Sequence, residues 1–178
     1  MKYFDELKRA MEFLGDKPDT LFLGQAVADP GTAMSNTLKG VDKSKLLELP
    51  VAEELQMGLT VGLAVSGQGP ISIYPRWNFV LLAINQLVNH LDKLRWYSHH
   101  EYVPKAIIRT GIGSVRPLNP QLQHTGDYTD AVASMLTDVE VIRLEEPEDI
   151  FPAYKRAYER TDGKSTVLVE YGDYYNEK

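Results

Sequence analysis

Five apolar runs and a shorter sixth recur along the chain, and stretches with helical spacing of apolar residues fill the gaps between them. The runs are TLFLGQAV (Thr20–Val27), KLLELP (Lys45–Pro50), GPISIYP (Gly69–Pro75), KAIIRTGIG (Lys105–Gly113), DVEVIRL (Asp138–Leu144) and STVLVEYG (Ser165–Gly172). Short apolar runs closed by Gly, Pro or Asp read as buried strands. Helices are expected over 1–14, 52–66, 78–97, 127–136 and 146–160, the last with Pro147 in its first turn, where a missing N–H does no harm. Strands that alternate with helices pair in parallel and need cover on both sides. The fold class is therefore α/β: a single domain with a mostly parallel sheet of about six strands and helices on both faces. The 178 residues are enough for one such core. Residues 1–19 form an N-terminal helix and linker, 20–172 the core, and 173–178 a C-terminal tail.

Charge and composition remove several function classes. With a net charge of -6 and no clustered Lys/Arg run, nucleic acid is not an expected partner. The absence of cysteine excludes a disulfide scaffold, a thiolate nucleophile and a zinc–thiolate site. It also fits a reducing compartment, and the expected location is cytoplasmic. The first fifteen residues are amphipathic and carry acids, unlike a signal peptide. No apolar run approaches the ~18–20 residues that cross a bilayer, so no membrane partner is expected.

On parallel sheets, ligands gather beyond the carboxyl ends of strands. That directs attention to the segments 28–40, 74–79 and 113–127. Glu53 and Glu54 open the helix after Pro50. First-turn acids are favoured by the helix dipole and need no further duty. Being consecutive they point about 100° apart, so at most one turns inward. Gly58, Gly62 and Ser66 share a face of that helix, which indicates close approach of another backbone, from within the chain or from a partner. Trp77 and Phe79 belong either to a core stripe or to an aromatic wall for a flat ligand. His124 lies in a polar loop, solvated or functional. His99 and His100 read as surface. No phosphate-binding glycine loop, Gly-x-Ser-x-Gly elbow or set of metal ligands is present.

The segments LGQAVADPG, LPVAEELQMGLTVGLAVSG, NFVLLAINQLVNHLDK, KAIIRTGIG and QHTGDY occur in the order found in the pyrimidine-binding domain of thiamine-diphosphate enzymes. The chain resembles most the beta subunit of the 2-oxo-acid dehydrogenase decarboxylating component, within a group that includes transketolase. The resemblance covers roughly residues 20–172. It implies that Glu53, three residues after Pro50 and five before Gly58, is the carboxylate that hydrogen-bonds the cofactor's aminopyrimidine and favours its imino tautomer. It places Phe79 against the pyrimidine, with Trp77 as a second candidate aromatic, and His124 near the reacting carbon. The implied cofactor is thiamine diphosphate, with Mg²⁺ and the diphosphate held by a partner chain, because no Gly-Asp-Gly…Asn motif occurs in this one. The implied assembly is α2β2-like or built on a homodimer core. The implied activity is cleavage or transfer of a C–C-bonded group of a 2-oxo acid or ketose donor. A degenerate, non-catalytic pairing module and a domain excised from a longer transketolase-like chain are the alternatives. The chain departs from family beta subunits at Asn85-Gln86, where an acid usually precedes the glutamine, and at His99 and His100, where small residues are usual.

Overall fold

The computed structural model describes residues 1–29, 31–116 and 119–177. The expected segments 28–40, 113–127 and 173–178 each include residues outside that range. In chain order the main elements are α1 (Tyr3–Gly15), β1 (Thr20–Gly24), α2 (Ala33–Asn36), β2 (Leu46–Glu48), α3 (Glu53–Val65), β3 (Gly69–Ile73) and α4 (Trp77–Val80). There follow α5 (Leu94–Tyr97), β4 (Ile107–Ile112), α6 (Thr129–Ala133), β5 (Glu140–Arg143), α7 (Pro147–Glu159), β6 (Thr166–Tyr171) and α8 (Tyr174–Glu177).

All six strands join one parallel sheet in the order β2-β1-β3-β4-β6-β5. Alternation along each strand divides the core in two. Ile107 and Leu168 face one layer, where they meet Leu7, Met11, Leu14 and Ile150 from α1 and α7. Their neighbours Ile108, Val167 and Val169 face the other, with Met57 from α3 and Trp77 and Val80 from α4. Among the described residues no helix is long and apolar enough to cross a membrane.

The expected single helix over 78–97 is a correction. The segment runs through α4, a 3-10 turn at Leu81–Ala83, a π turn at Gln86–Leu91 and α5. The Asp92 N–H bonds to the Leu87 carbonyl, five residues back, at 3.0 Å. Apolar spacing survives such a widened turn because Leu87 and Leu91 remain buried, so the break leaves no trace in the pattern. Two further helices were not foreseen. Thr32 caps α2 by accepting the Ser35 N–H, and α8 occupies the expected tail.

Asp92 is 1% exposed and ties the π turn to the segment before β5. Its carboxylate accepts the N–H groups of Thr137 (3.0 Å), Asp138 (2.8 Å) and Val139 (2.8 Å), together with the Lys93 ammonium. Burial opposes its charge, but these donors hold its pKa below the usual carboxylate value. A depressed folded pKa gives stability that is complete above the unfolded value of about 3.9 and is lost as pH falls through the folded one. Asp92→Asn is expected to cost about 1–3 kcal/mol at neutral pH. Urea unfolding should show the gap between variant and parent closing as the pH falls below that range.

Candidate functional site

The site lies where β1, β3 and β4 end. Gly24 closes β1 with φ +153°, and a Cβ there would stand 2.5 Å from the Ile73 carbonyl, so only glycine lets β1 and β3 end this close together. The next residue, Gln25, donates from Nε2 to Glu53 Oε1 at 3.2 Å. Glu53 is the first residue of α3 and 5% exposed. No basic side chain among the described residues forms an ion pair with it. Its main-chain carbonyl accepts the hydroxyl of Tyr74 at 3.3 Å. Burial pushes the Tyr74 phenol well above its ordinary pKa, so it remains a donor. Glu54 points outward and accepts only a 3.4 Å contact from Gln86.

Two polar groups that sequence reasoning missed hold this arrangement. Gln56 is 1% exposed, and its amide donates to Ser72 Oγ at 3.0 Å and the Ile73 carbonyl at 3.0 Å, fastening α3 to the end of β3. Glu48 accepts the N–H groups of Ala26 (2.5 Å), Val27 (2.8 Å) and Ala28 (2.8 Å), fixing the loop that leaves β1. Burial opposes its charge, and those N–H groups nonetheless keep its pKa low. The only sequence signal for either was a polar side chain at the edge of an apolar run.

The aromatic pair separates. Trp77 is 0% exposed, and its indole N–H donates to Thr129 Oγ1 at 3.0 Å. It is a core residue with no ring face open to a ligand in this chain, because the Thr129 hydroxyl gives its one polar atom an internal partner. Phe79 is half-buried, with its ring centroid 5.6 Å from that of His124 at a 31° tilt. His124 sits in a short 3-10 turn, and its Nδ1 is buried with no hydrogen-bond partner among the described residues. Arg76 spans the two loops. Its Nη1 donates to the His124 carbonyl at 2.8 Å and to that of Ser114 at 3.3 Å. The structure thus brings Phe79 and His124 into contact. It places Glu53 at the same end of the sheet, linked to β3 through Tyr74.

No family model matches the chain. Individual proteins do. The beta subunit of 2-oxoisovalerate dehydrogenase from Bacillus subtilis (strain 168) is 25% identical over 117 residues, covering 64% of this chain and 36% of its own. The beta subunit of the pyruvate dehydrogenase E1 component from Gracilaria tenuistipitata var. liui is 30% identical over 122 residues, covering 66% and 38%. Among solved structures, a split-gene transketolase described as an inactive beta4 tetramer superposes with a TM-score of 0.72 at 16% identity, covering 94% of this chain and 50% of that one. The chain is a pyrimidine-domain-like protein of the thiamine-diphosphate enzymes. Its sheet is the six-stranded parallel α/β arrangement expected of such a domain. It spans about two fifths of the length of the curated relatives it matches.

Proposed function

We propose that the chain is the pyrimidine-side subunit of a two-chain thiamine-diphosphate enzyme that cleaves or transfers a C–C-bonded group of a 2-oxo acid or ketose donor. The observation that carries this reading is Glu53, a carboxyl buried at a helix start with a neutral amide as its side-chain partner and no cation beside it. A carboxyl locked to a cation holds its charge, whereas one beside an amide is available to share a proton with a ring nitrogen. The residues present suit the cofactor's pyrimidine end. Glu53 would receive the ring nitrogen, and the Phe79 ring offers a face at the same end of the sheet. When bound, thiamine diphosphate supplies the electron sink that stabilises a carbanion. His124 orients against Phe79 and keeps Nδ1 for a hydrogen bond to the reacting substrate. The diphosphate and Mg²⁺ fall to an alpha-type partner.

The seam for that partner is the outer face of α3. Leu55 is 60% exposed and Leu82, on the 3-10 turn that packs beside α3, is 61% exposed. Between them the helix presents Gly58 and Gly62, and a Cβ at Gly62 would meet nothing within 4 Å. An apolar face with glycines for close approach is suited to a second backbone. Leu55→Asp with Leu82→Asp is expected to weaken association at least ~100-fold while leaving thermal unfolding of the lone chain nearly unchanged, since both side chains are already in water. Sedimentation of the variant with the partner checks this.

The function is tested by combining the chain with a diphosphate-binding subunit, thiamine diphosphate and Mg²⁺. Cofactor binding and consumption of 2-oxo acids and ketose donors are then followed. Assembly with no turnover of any donor would favour the non-catalytic pairing module.

A further inference from the structure

A cleft of about 280 Å³ opens between the ends of β4 and β6 and the loop before α2, and none of the roles above uses it. Thr32, Arg76, Gly113, Glu170 and Asn176 are among its walls. The charges around it can be counted. Glu170 is spent on Arg109, with which it forms a fully buried ion pair. Asp173 acts on Arg76 only through space, and its carboxylate accepts the Val115 N–H at 3.1 Å. Arg76 itself forms no ion pair with the described residues, and both its hydrogen bonds, to the carbonyls of Ser114 and His124, leave from Nη1. Two neutral carbonyls orient a guanidinium without neutralising it. The edge made by Nε and Nη2 is left with a fixed charge and a forked set of donors facing a polar cleft. Burial lowers the Arg76 pKa, which reflects the same lack of a compensating anion, and an arginine stays charged nonetheless.

We propose that this cleft binds the anionic end of a small molecule, a phosphate or carboxylate, held by the Arg76 fork. The Thr32 hydroxyl accepts the Ser35 N–H and keeps its own hydrogen to donate. The Asn176 side chain adds an amide on the same wall. Guanidinium edges match both oxyanions in bidentate geometry. The volume accommodates the end of a small metabolite and excludes a nucleotide. Arg76 also grips the main chain of His124, so an anion bound there sits beside the histidine loop. The cleft therefore recognises the far end of the donor substrate, and in that respect the inference rests on the function proposed above. Arg76 becomes the residue that selects anionic donors.

Binding of free anions by the lone chain needs neither cofactor nor partner, so it is tested separately from the enzyme reading. The full chain is titrated with inorganic phosphate and with malonate, against chloride at matched ionic strength, and the Arg76 Nε–H signal is followed by ¹H–¹⁵N NMR. A saturable shift with one or both is expected. Tighter phosphate binding marks a phosphorylated donor, and tighter malonate binding marks a carboxylate. Arg76→Lys keeps the charge but loses the fork and should weaken binding at least ~10-fold. Arg76→Met should abolish it. The proposal is overturned by absence of a saturable shift with either anion. Unchanged affinity in Arg76→Lys overturns it equally, and that variant decides the matter if Arg76→Met does not fold.

Discussion

Glu53→Gln is expected to lower turnover of the assembled enzyme by about 10²–10⁴ while the subunits still associate. Glutamine has the same shape, and the neighbouring Gln25 amide can turn to pair with it, so the fold has little reason to respond. What disappears is a carboxyl able to share a proton. Glu53→Ala should be at least as slow, and it leaves Gln25 without its acceptor. Glu54→Gln is the internal control, because that side chain is exposed and should leave turnover unchanged. Steady-state rates with sedimentation of the same samples separate lost chemistry from lost assembly. Near-full turnover in the Glu53→Ala complex would remove Glu53 from the mechanism.

The largest effect on stability is expected at the pair behind the cleft. Arg109 and Glu170 are both 0% exposed and meet in a two-point contact, Nε to Oε1 at 2.5 Å and Nη2 to Oε2 at 3.0 Å. Thr37 accepts from Arg109 at 2.8 Å, Tyr154 donates to Glu170 at 2.5 Å, and Tyr175 donates to the other carboxylate oxygen. Burial, and then the adjacent carboxylate, push both phenols far above their ordinary pKa, so they remain donors across the accessible pH range. Glu170→Leu strands a buried guanidinium and should cost about 3–5 kcal/mol. At about 2–4 °C per kcal/mol for a chain of this size, calorimetry should record a fall in Tm of roughly 10 °C. Adding Arg109→Met should recover part of that loss, because a well-packed apolar pair avoids the desolvation cost. Recovery stays incomplete because the two tyrosine hydroxyls lose their acceptor. A single-variant cost below ~1 kcal/mol would mean the pair is not held away from water.

These residues also mark the boundary of what could be read without coordinates. The strands were legible because Ile107-Ile108 and Val167 to Val169 are apolar on both faces, as a doubly covered sheet demands. Yet the charges inside two of those runs, Arg109 in KAIIRTGIG and Glu170 in STVLVEYG, were passed over. Opposite charges in two adjacent buried strands signal an internal pair once the strand order is known, and the order is not written in either strand. Phe79 and Trp77 stand two apart, and nothing local distinguished the ring facing the site from the one packed inside. The deciding partner, Thr129, lies 52 residues away. Arg76 is a lone arginine in YPRW and belongs to no periodic pattern. Its significance arises only where the loops after β3 and β4 meet.

Tyr3 has a consequence of a different kind. Its hydroxyl donates to the Leu144 carbonyl at 2.7 Å and accepts the Tyr171 N–H at 3.0 Å, across separations of 141 and 168 residues. The first helix to be made therefore docks on the last strand to be made. During synthesis at ~5–20 residues per second, the apolar side of α1 stays uncovered for on the order of ten seconds. Over that interval Leu7, Met11 and Leu14 form an open sticky surface on a growing chain. Nascent copies on neighbouring ribosomes are then most prone to clump, and a chaperone that shields a single amphipathic helix would help this chain most.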